Sequence, residues 1–421
     1  MKRYFEQRPA LAWALYDWAN SAFATTVLAG FFPTFFRQYW SAGAESTVTT
    51  FRLGIANGIA GFVIAVLAPV LGAIADRGGK RVAFVTGWSL LGIAATAALY
   101  FVGQGQWAWA AAFFVLGTMG FNGGIVFYDA LLLDVAKPAE YDRVSAFGYS
   151  LGYLGGGLLF AVNIAMVLKP AWFGLADAAA AVQLSFLTVA AWWLVFMLPL
   201  SVAVREAPGP VTGLRASIAA GLAEIAATAR RARTLRPLFM FLVSYWLYID
   251  AVNTVIKMAI DYGMALGLDT GALLTALLIT QFVGFPAALL FGRIGERIGP
   301  KPGILITLLV YLAVTVWAYF LDSTVEFFAM AVVVGLVQGG VQSLSRSYFG
   351  RLVPPGKSAE FFGLYNMVGK FGTVVGPVLV GGVAWVTGSS RASILSLAVL
   401  FIGGALLLLR VRDVGPERRA A

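Results

Sequence analysis

Four groups of polar residues interrupt long apolar runs, and each group is spaced to share one face of a helix. Asp17, Asn20, Ser21 and Thr25 form the first stripe. Asn122 and Asp129, seven residues apart, form the second. Asp250, Asn253, Thr254 and Lys257 form the third; Gln338, Gln342, Ser345 and Arg346 form the fourth. A further stripe joins Lys370 to Asn366 and Thr373. In apolar surroundings such groups bind a polar solute, pair with one another or carry a proton. A carboxylate holds an ammonium group or a proton, a guanidinium holds a carboxylate, and a carboxamide offers a donor and an acceptor side by side.

The elements that carry these stripes are set by composition. Of 421 residues, 60% are hydrophobic and 12% charged, about half the charged share of a soluble domain. The charges cluster between apolar runs, the pattern that a bilayer imposes. With no cysteine and no histidine, disulfides, the usual zinc and haem ligands and a Ser–His hydrolase are excluded. Metal and cofactor sites are not expected, and no enzyme activity is expected. No Gly-x4-Gly-Lys-Ser/Thr loop is present, so direct ATP drive is not expected either. The net charge of +10 lies in short segments beside apolar spans. It therefore reads as a membrane orientation signal and not as a nucleic-acid surface.

Runs of the length a bilayer requires predict twelve transmembrane helices. They cover 11–36, 53–75, 82–103, 107–135, 146–168, 181–204, 237–260, 271–294, 303–321, 326–349, 360–386 and 392–410. The fold class expected is an all-α polytopic membrane protein of two six-helix bundles, 1–204 and 237–421. A linker, 205–236, would join them. Leu214, Ile218, Leu222 and Ile225 recur there at helical spacing beside Arg215, Arg230, Arg231 and Arg233, which reads as a helix on the membrane surface or a solvated connector. With the N-terminus inside, 23 of the 30 Lys and Arg fall on the inner side, and Arg37, Arg52, Lys169 and Arg391 fall outside. Both termini are thus expected in the cytoplasm of a bacterium, with the helices crossing its inner membrane as a monomer.

One loop motif occurs twice, 220 residues apart. After span 2 the chain has Gly72, Asp76, Arg77, Gly79, Lys80 and Arg81; after span 8 it has Gly292, Glu296, Arg297, Gly299 and Lys301. The glycines permit a close-packed turn, the acid can cap a helix N-terminus, and the bases can pair with an acid such as Asp134. Two six-helix halves each carrying this loop resemble the major facilitator superfamily. That resemblance implies a secondary transporter with a cavity lined by spans 1, 4, 7 and 10 and with the loops as conformational latches. Narrower signatures are Ala14-Leu-Tyr-Asp17-Trp-Ala-Asn20, Arg143-Val-Ser145, Gln342-Ser-Leu-Ser345-Arg346 and Ala359-Glu360-Phe-Phe-Gly363. Together they look like the autophagy-related vacuolar effluxer-like family, whose fungal namesake exports amino acids.

The expectation is therefore alternating-access movement of a small polar solute, most simply an amino acid. Arg346 or Lys370 would meet its carboxylate, and Asp17 or Asp250 its ammonium. A sugar, an organic anion or a lysolipid, or a non-transporting scaffold, are the alternatives. Without histidine a coupling proton would ride Asp17, Asp129 or Asp250. Asp129 and Arg346 lie 217 residues apart, close to the repeat offset. They occupy near-equivalent places on spans 4 and 10 and could close the inner mouth between the halves.

Overall fold

A computed structural model describes residues 8–206, 235–265, 270–371 and 375–412, together with the isolated positions 223 and 227. The linker stripe of Leu214, Ile218, Leu222 and Ile225 lies outside the described residues. The described chain is helical throughout. The first span, α1, begins as an α-helix (Arg8–Ala22). It continues to Trp40 through π-helical stretches Phe23–Phe31 and Phe36–Trp40 around the short α segment Phe32–Phe35. Pro33 lacks the backbone donor that an α-helix needs, and the Phe32 N–H reaches back to the Val27 carbonyl.

The next spans are α2 (Ser46–Gly78), α3 (Arg81–Ala98), α4 (Trp107–Val135), α5 (Tyr141–Leu168) and α6 (Ala178–Ala203). The second set is α7 (Arg236–Ala265), α8 (Thr270–Ile298), α9 (Pro300–Tyr319) and α10 (Thr324–Leu352). In the eleventh span the described helical stretches are α11a (Ser358–Phe371) and α11b (Val375–Thr387). The twelfth is divided, into α12a (Ser390–Leu395) and α12b (Leu397–Arg410). Among the described residues, 10 helices are long and apolar enough to cross a membrane. The described stretches of α1, α11a and α11b lie where the sequence places the other two spans.

The two sets meet chiefly where α2 packs on α11a and α5 packs on α8. Glycine makes those contacts possible. A Cβ on Gly72 would lie 2.3 Å from the Ala359 carbonyl oxygen, and one on Gly292 would lie 2.7 Å from Ala146 Cβ. Inside the first half, Phe23, Phe32, Trp40, Phe114, Phe121, Phe186 and Trp193 fill the middle with rings. The outer surface is apolar, as at Phe62, Val202, Leu309 and Val378, and suits acyl chains.

The crossing of α3 over α4 depends on one residue. A Cβ on Gly120 would sit 2.3 Å from Gly92 N and 2.7 Å from the Trp88 carbonyl oxygen, both backbone atoms. Gly120→Ala is therefore expected to lose about 1–3 kcal/mol of stability through overpacking, read as a lower unfolding temperature of the purified protein. An unchanged temperature would mean that the two helices are free to move apart.

Candidate functional site

A cavity of about 280 Å³ lies between the two halves. Asp17, Asn20 and Thr25 reach it from α1, Asp129 from α4, Asn253 from α7, and Gln338, Gln342 and Arg346 from α10. Gln281 of α8, Asn366 of α11a and the tyrosines Tyr149, Tyr153, Tyr245 and Tyr365 complete its polar wall. The stripes read from sequence thus converge for α1 and α10 and in part for α4 and α7.

At one end of the cavity Arg346 is 1% exposed and bridges the halves. Its Nη1 donates to Asp129 Oδ1 at 3.0 Å, its Nε to Ser145 Oγ at 2.9 Å, and its Nη2 to the Ser145 carbonyl at 2.8 Å. Asp17 Oδ2 stands 3.6 Å from the same Nη1 and accepts the Tyr128 hydroxyl at 2.8 Å. The rings of Tyr149 and Trp13 lie 4.3 and 4.7 Å from the guanidinium carbon, close enough for cation–π attraction. Asn366 Nδ2 donates to the other oxygen of Asp129 at 3.0 Å. A guanidinium out of water needs this degree of pairing. Removing one partner of a buried pair typically costs about 3–5 kcal/mol.

Higher on the wall, two carboxamide atoms are buried without a hydrogen-bond partner among the described residues: Asn20 Nδ2 and Gln338 Oε1. Gln342 Oε1 accepts the Tyr153 hydroxyl at 3.3 Å. Other buried polar atoms off the wall are unmatched too, such as Asn122 Oδ1 and Asn163 Nδ2, but Asn20 Nδ2 and Gln338 Oε1 belong to residues that face the cavity.

Two sequence candidates stand elsewhere. Asp250 does not line the cavity; it accepts the Gly376 backbone N–H at 2.9 Å and the Thr254 hydroxyl at 3.4 Å. It thereby fastens α7 to α11b through a backbone donor. Asn122 is buried inside the first half, also off the wall. Both share a helical face with true wall residues, but the wall is narrower than the stripe. The side chains of Lys257 and Lys370, and Thr373, lie outside the described residues.

The duplicated loops occupy the Lys- and Arg-rich side, here the basic face. Asp76 of α2 crosses to the other half, where its two oxygens accept the Ala359 and Glu360 N–H groups, each at 2.9 Å. It caps the N-terminus of α11a, complementing the helix dipole. Arg81 Nη1 donates to Asp134 Oδ2 at 2.7 Å and to Ser358 Oγ at 2.6 Å. Gly79 takes φ 55° and Gly299 φ 90°, both favourable to glycine alone. Arg77 and Lys80 are exposed. The second loop departs from the first. Glu296 lies 3.7 Å from Arg143, Arg297 is exposed, and Lys301 caps the end of α12b through the Leu409 and Val411 carbonyls at 3.1 and 2.8 Å. Of the bases that could pair with an acid, Lys301 thus binds backbone carbonyls instead.

Other clasp residues carried little signal in the sequence. Asp142, 1% exposed, accepts Ser347 Oγ and Arg351 Nη2, each at 2.5 Å. Ser145 Oγ also donates to the Ser343 carbonyl at 2.8 Å. Glu206, just past α6, accepts the Arg81 and Val82 N–H groups at 2.8 and 2.7 Å and so caps α3. Among the described residues, the polar links between the halves gather on the basic face and at mid-depth.

Losing the Asp76 cap should loosen this face. A lost cap costs roughly 1 kcal/mol, or about a fivefold shift in the closed population. The chain has no cysteine, so Ser343→Cys, buried behind the clasps, is a clean reporter. Asp76→Ala is expected to speed its modification by a bulky maleimide several-fold. Equal rates in the two backgrounds would remove Asp76 from the latch.

The described geometry agrees with what this chain resembles. The family model for vacuole effluxer Atg22-like proteins matches residues 41–141 and 134–420. A Bacillus subtilis protein described as the uncharacterised MFS-type transporter YxiO is 38% identical over 419 residues, 97% of this chain and 95% of that protein. Autophagy-related protein 22-1 of Emericella nidulans is 27% identical over 285 residues, 61% of this chain; the match spans 47% of the fungal protein. Among solved structures, the human organic anion transporter MFSD10 superposes with a TM-score of 0.69 at 16% identity, covering 96% of this chain and 99% of that one. The proton:xylose symporter XylE gives 0.72 at 12% identity, covering 97% and 95%. These two are likenesses of fold. With its helices, its duplicated loop and its matched residues taken together, the chain belongs to the Atg22-like vacuole effluxer family and is a transporter of the major facilitator type.

Proposed function

We propose that this transporter moves a small polar solute by alternating access, with Arg346 and Asp129 as the inner gate. The observation that carries the proposal is one buried guanidinium held by α4 and α5 of the first half from α10 of the second, directly below a polar cavity. Separating the halves on this side strips Arg346 of its partners, so opening must be compensated by new contacts elsewhere, such as those to a bound solute. We take the basic face as cytoplasmic, by the distribution of Lys and Arg, with the helices crossing the bacterial inner membrane. The clasped arrangement is then the state closed to the cytoplasm.

An amino acid is the cargo we favour. The unmatched Asn20 Nδ2 suits its carboxylate, and the unmatched Gln338 Oε1 and the Asp17 carboxylate suit its ammonium. Asp17 is also the candidate proton carrier, because it faces the cavity while Asp250 is consumed by the backbone of α11b. In proteoliposomes offered mixed labelled amino acids, an imposed pH gradient is expected to drive accumulation, and Asp17→Asn to abolish it. Accumulation that ignores the gradient leaves a uniporter; accumulation by Asp17→Asn at the wild-type level takes the proton away from this residue.

The gate has its own test. Arg346→Glu and Asp129→Arg are each expected to expose the Ser343→Cys reporter by tenfold or more, on the order of what a broken buried pair implies. The double reversal should restore much of the protection. A folded double variant as open as either single one contradicts the gate.

A further inference from the structure

A second chamber, of about 260 Å³ and almost wholly apolar, lies beside the polar cavity, largely in the second half. Leu273 of α8, Val314 of α9, Phe327, Met330 and Val334 of α10 and Leu397 of α12b form its walls. It shares Ala24, Thr25, Gln281 and Gln338 with the polar cavity, so the two spaces adjoin there. The unmatched Gln338 Oε1 belongs to a residue of this shared rim, and the unmatched Asn20 Nδ2 to a residue of the polar cavity beside it.

Among the described residues the two halves differ at this place. Val255 and Ile256 of α7 also line the chamber, so by the internal repeat the corresponding space in the first half lies among α1, α2, α3, α4 and α6. There Phe32 stacks on Phe114 at 4.0 Å, Phe23 lies 5.4 Å from Phe121 and 5.5 Å from Trp193, and Trp40 stacks on Phe186 at 5.6 Å. Rings pack this part of the first half, and among the described residues the second half has the chamber in its place. An empty apolar space leaves its lining without partner atoms, which close packing avoids. Its position at the mouth of a solute cavity gives it a use.

We infer that the transported solute is amphipathic: a polar end bearing both a donor and an acceptor sits at Asn20 and Gln338, and an apolar arm of several carbons fills the chamber in the second half. This rests on the cavity being the solute site and adds the class of solute. It also assigns the chamber as the determinant of selectivity. Solutes that are polar throughout would forfeit the arm's burial, and a charged side arm would be desolvated without a partner.

Linear primary carboxamides are suitable probes, because the carbonyl accepts from Asn20 Nδ2 and the NH2 donates to Gln338 Oε1. Binding of acetamide, butanamide, hexanamide and octanamide is read by thermal stabilisation of the protein in lipid nanodiscs. Affinity is expected to rise by about fourfold per methylene while the arm is entering the chamber. Ala331→Leu and Ala276→Leu, two separate substitutions on the chamber wall, are each expected to flatten that rise. A rise of equal slope in folded variants would place the arm in lipid, and no rise in the unmodified protein would leave the chamber without an arm; either result overturns the inference. Because binding is read without flux, failure of the alternating-access reading would leave the chain-length slope intact, and an absent slope would leave the Arg346 gate untouched.

Discussion

A guanidinium shut away from water must have every attraction supplied by its neighbours, and Arg346 draws them from both halves of the molecule. Asp129 and Ser145 hold it within 3.0 Å, Asp17 stands at 3.6 Å, and aromatic faces cover the rest. Such a group is poor as a source of net stability, because desolvation offsets much of the Coulombic gain. It is effective at selecting one arrangement of two bodies. Intermediate separations leave the charge unpaired, so the halves are either clasped or fully parted. Discrete states of this kind are what a transporter needs to avoid being open on both sides.

The remaining clasps share the load unevenly. Asp76 caps α11a across the seam, and Arg81 ties α3 to α4 and to Ser358, while Glu206 secures the start of α3 itself. Through Glu206, the chain that leaves α6 for the linker is anchored on the latch. The pseudo-equivalent seam of α5 and α8 uses different chemistry: Asp142 reaches Ser347 and Arg351 of α10, and Glu296 makes only a longer contact to Arg143. The duplicated loop thus kept its glycines in both halves, where close approach requires them, but its charges serve as an interdomain cap in one half and as an end cap for α12b in the other.

Much of this was legible because a bilayer penalises charge so heavily that any buried one marks a purpose. Helical spacing was enough to bring Asp17, Asn20, Gln338, Gln342 and Arg346 to one cavity. The repeat offset was enough to pair Asp129 with Arg346. The same spacing did not bring Asp250 to the cavity, since a stripe cannot distinguish a residue that faces the cavity from one that bonds a neighbouring helix a few degrees around. Asp142 and Ser145 were not singled out as site residues because they sit at the first turn of α5, where polar residues are ordinary, and their partners lie about 200 positions away. The tyrosines of the wall resemble core packing in an apolar chain. The π-helical course of α1 departs from the plain apolar run that the sequence shows, around Pro33, which withholds a backbone donor.

Rigid rocking of the two halves about this guanidinium is open to direct measurement, since a chain without cysteine accepts spin labels at chosen sites. One pair at the exposed positions Lys137 and Arg293 spans the halves on the basic face, and another at Gln104 and Thr324 spans them on the opposite face. In double electron–electron resonance, replacing Arg346 with Gln should create a population in which the first distance lengthens while the second shortens. Distances that stay fixed, or that lengthen together on both faces, would contradict a molecule that alternates about Arg346.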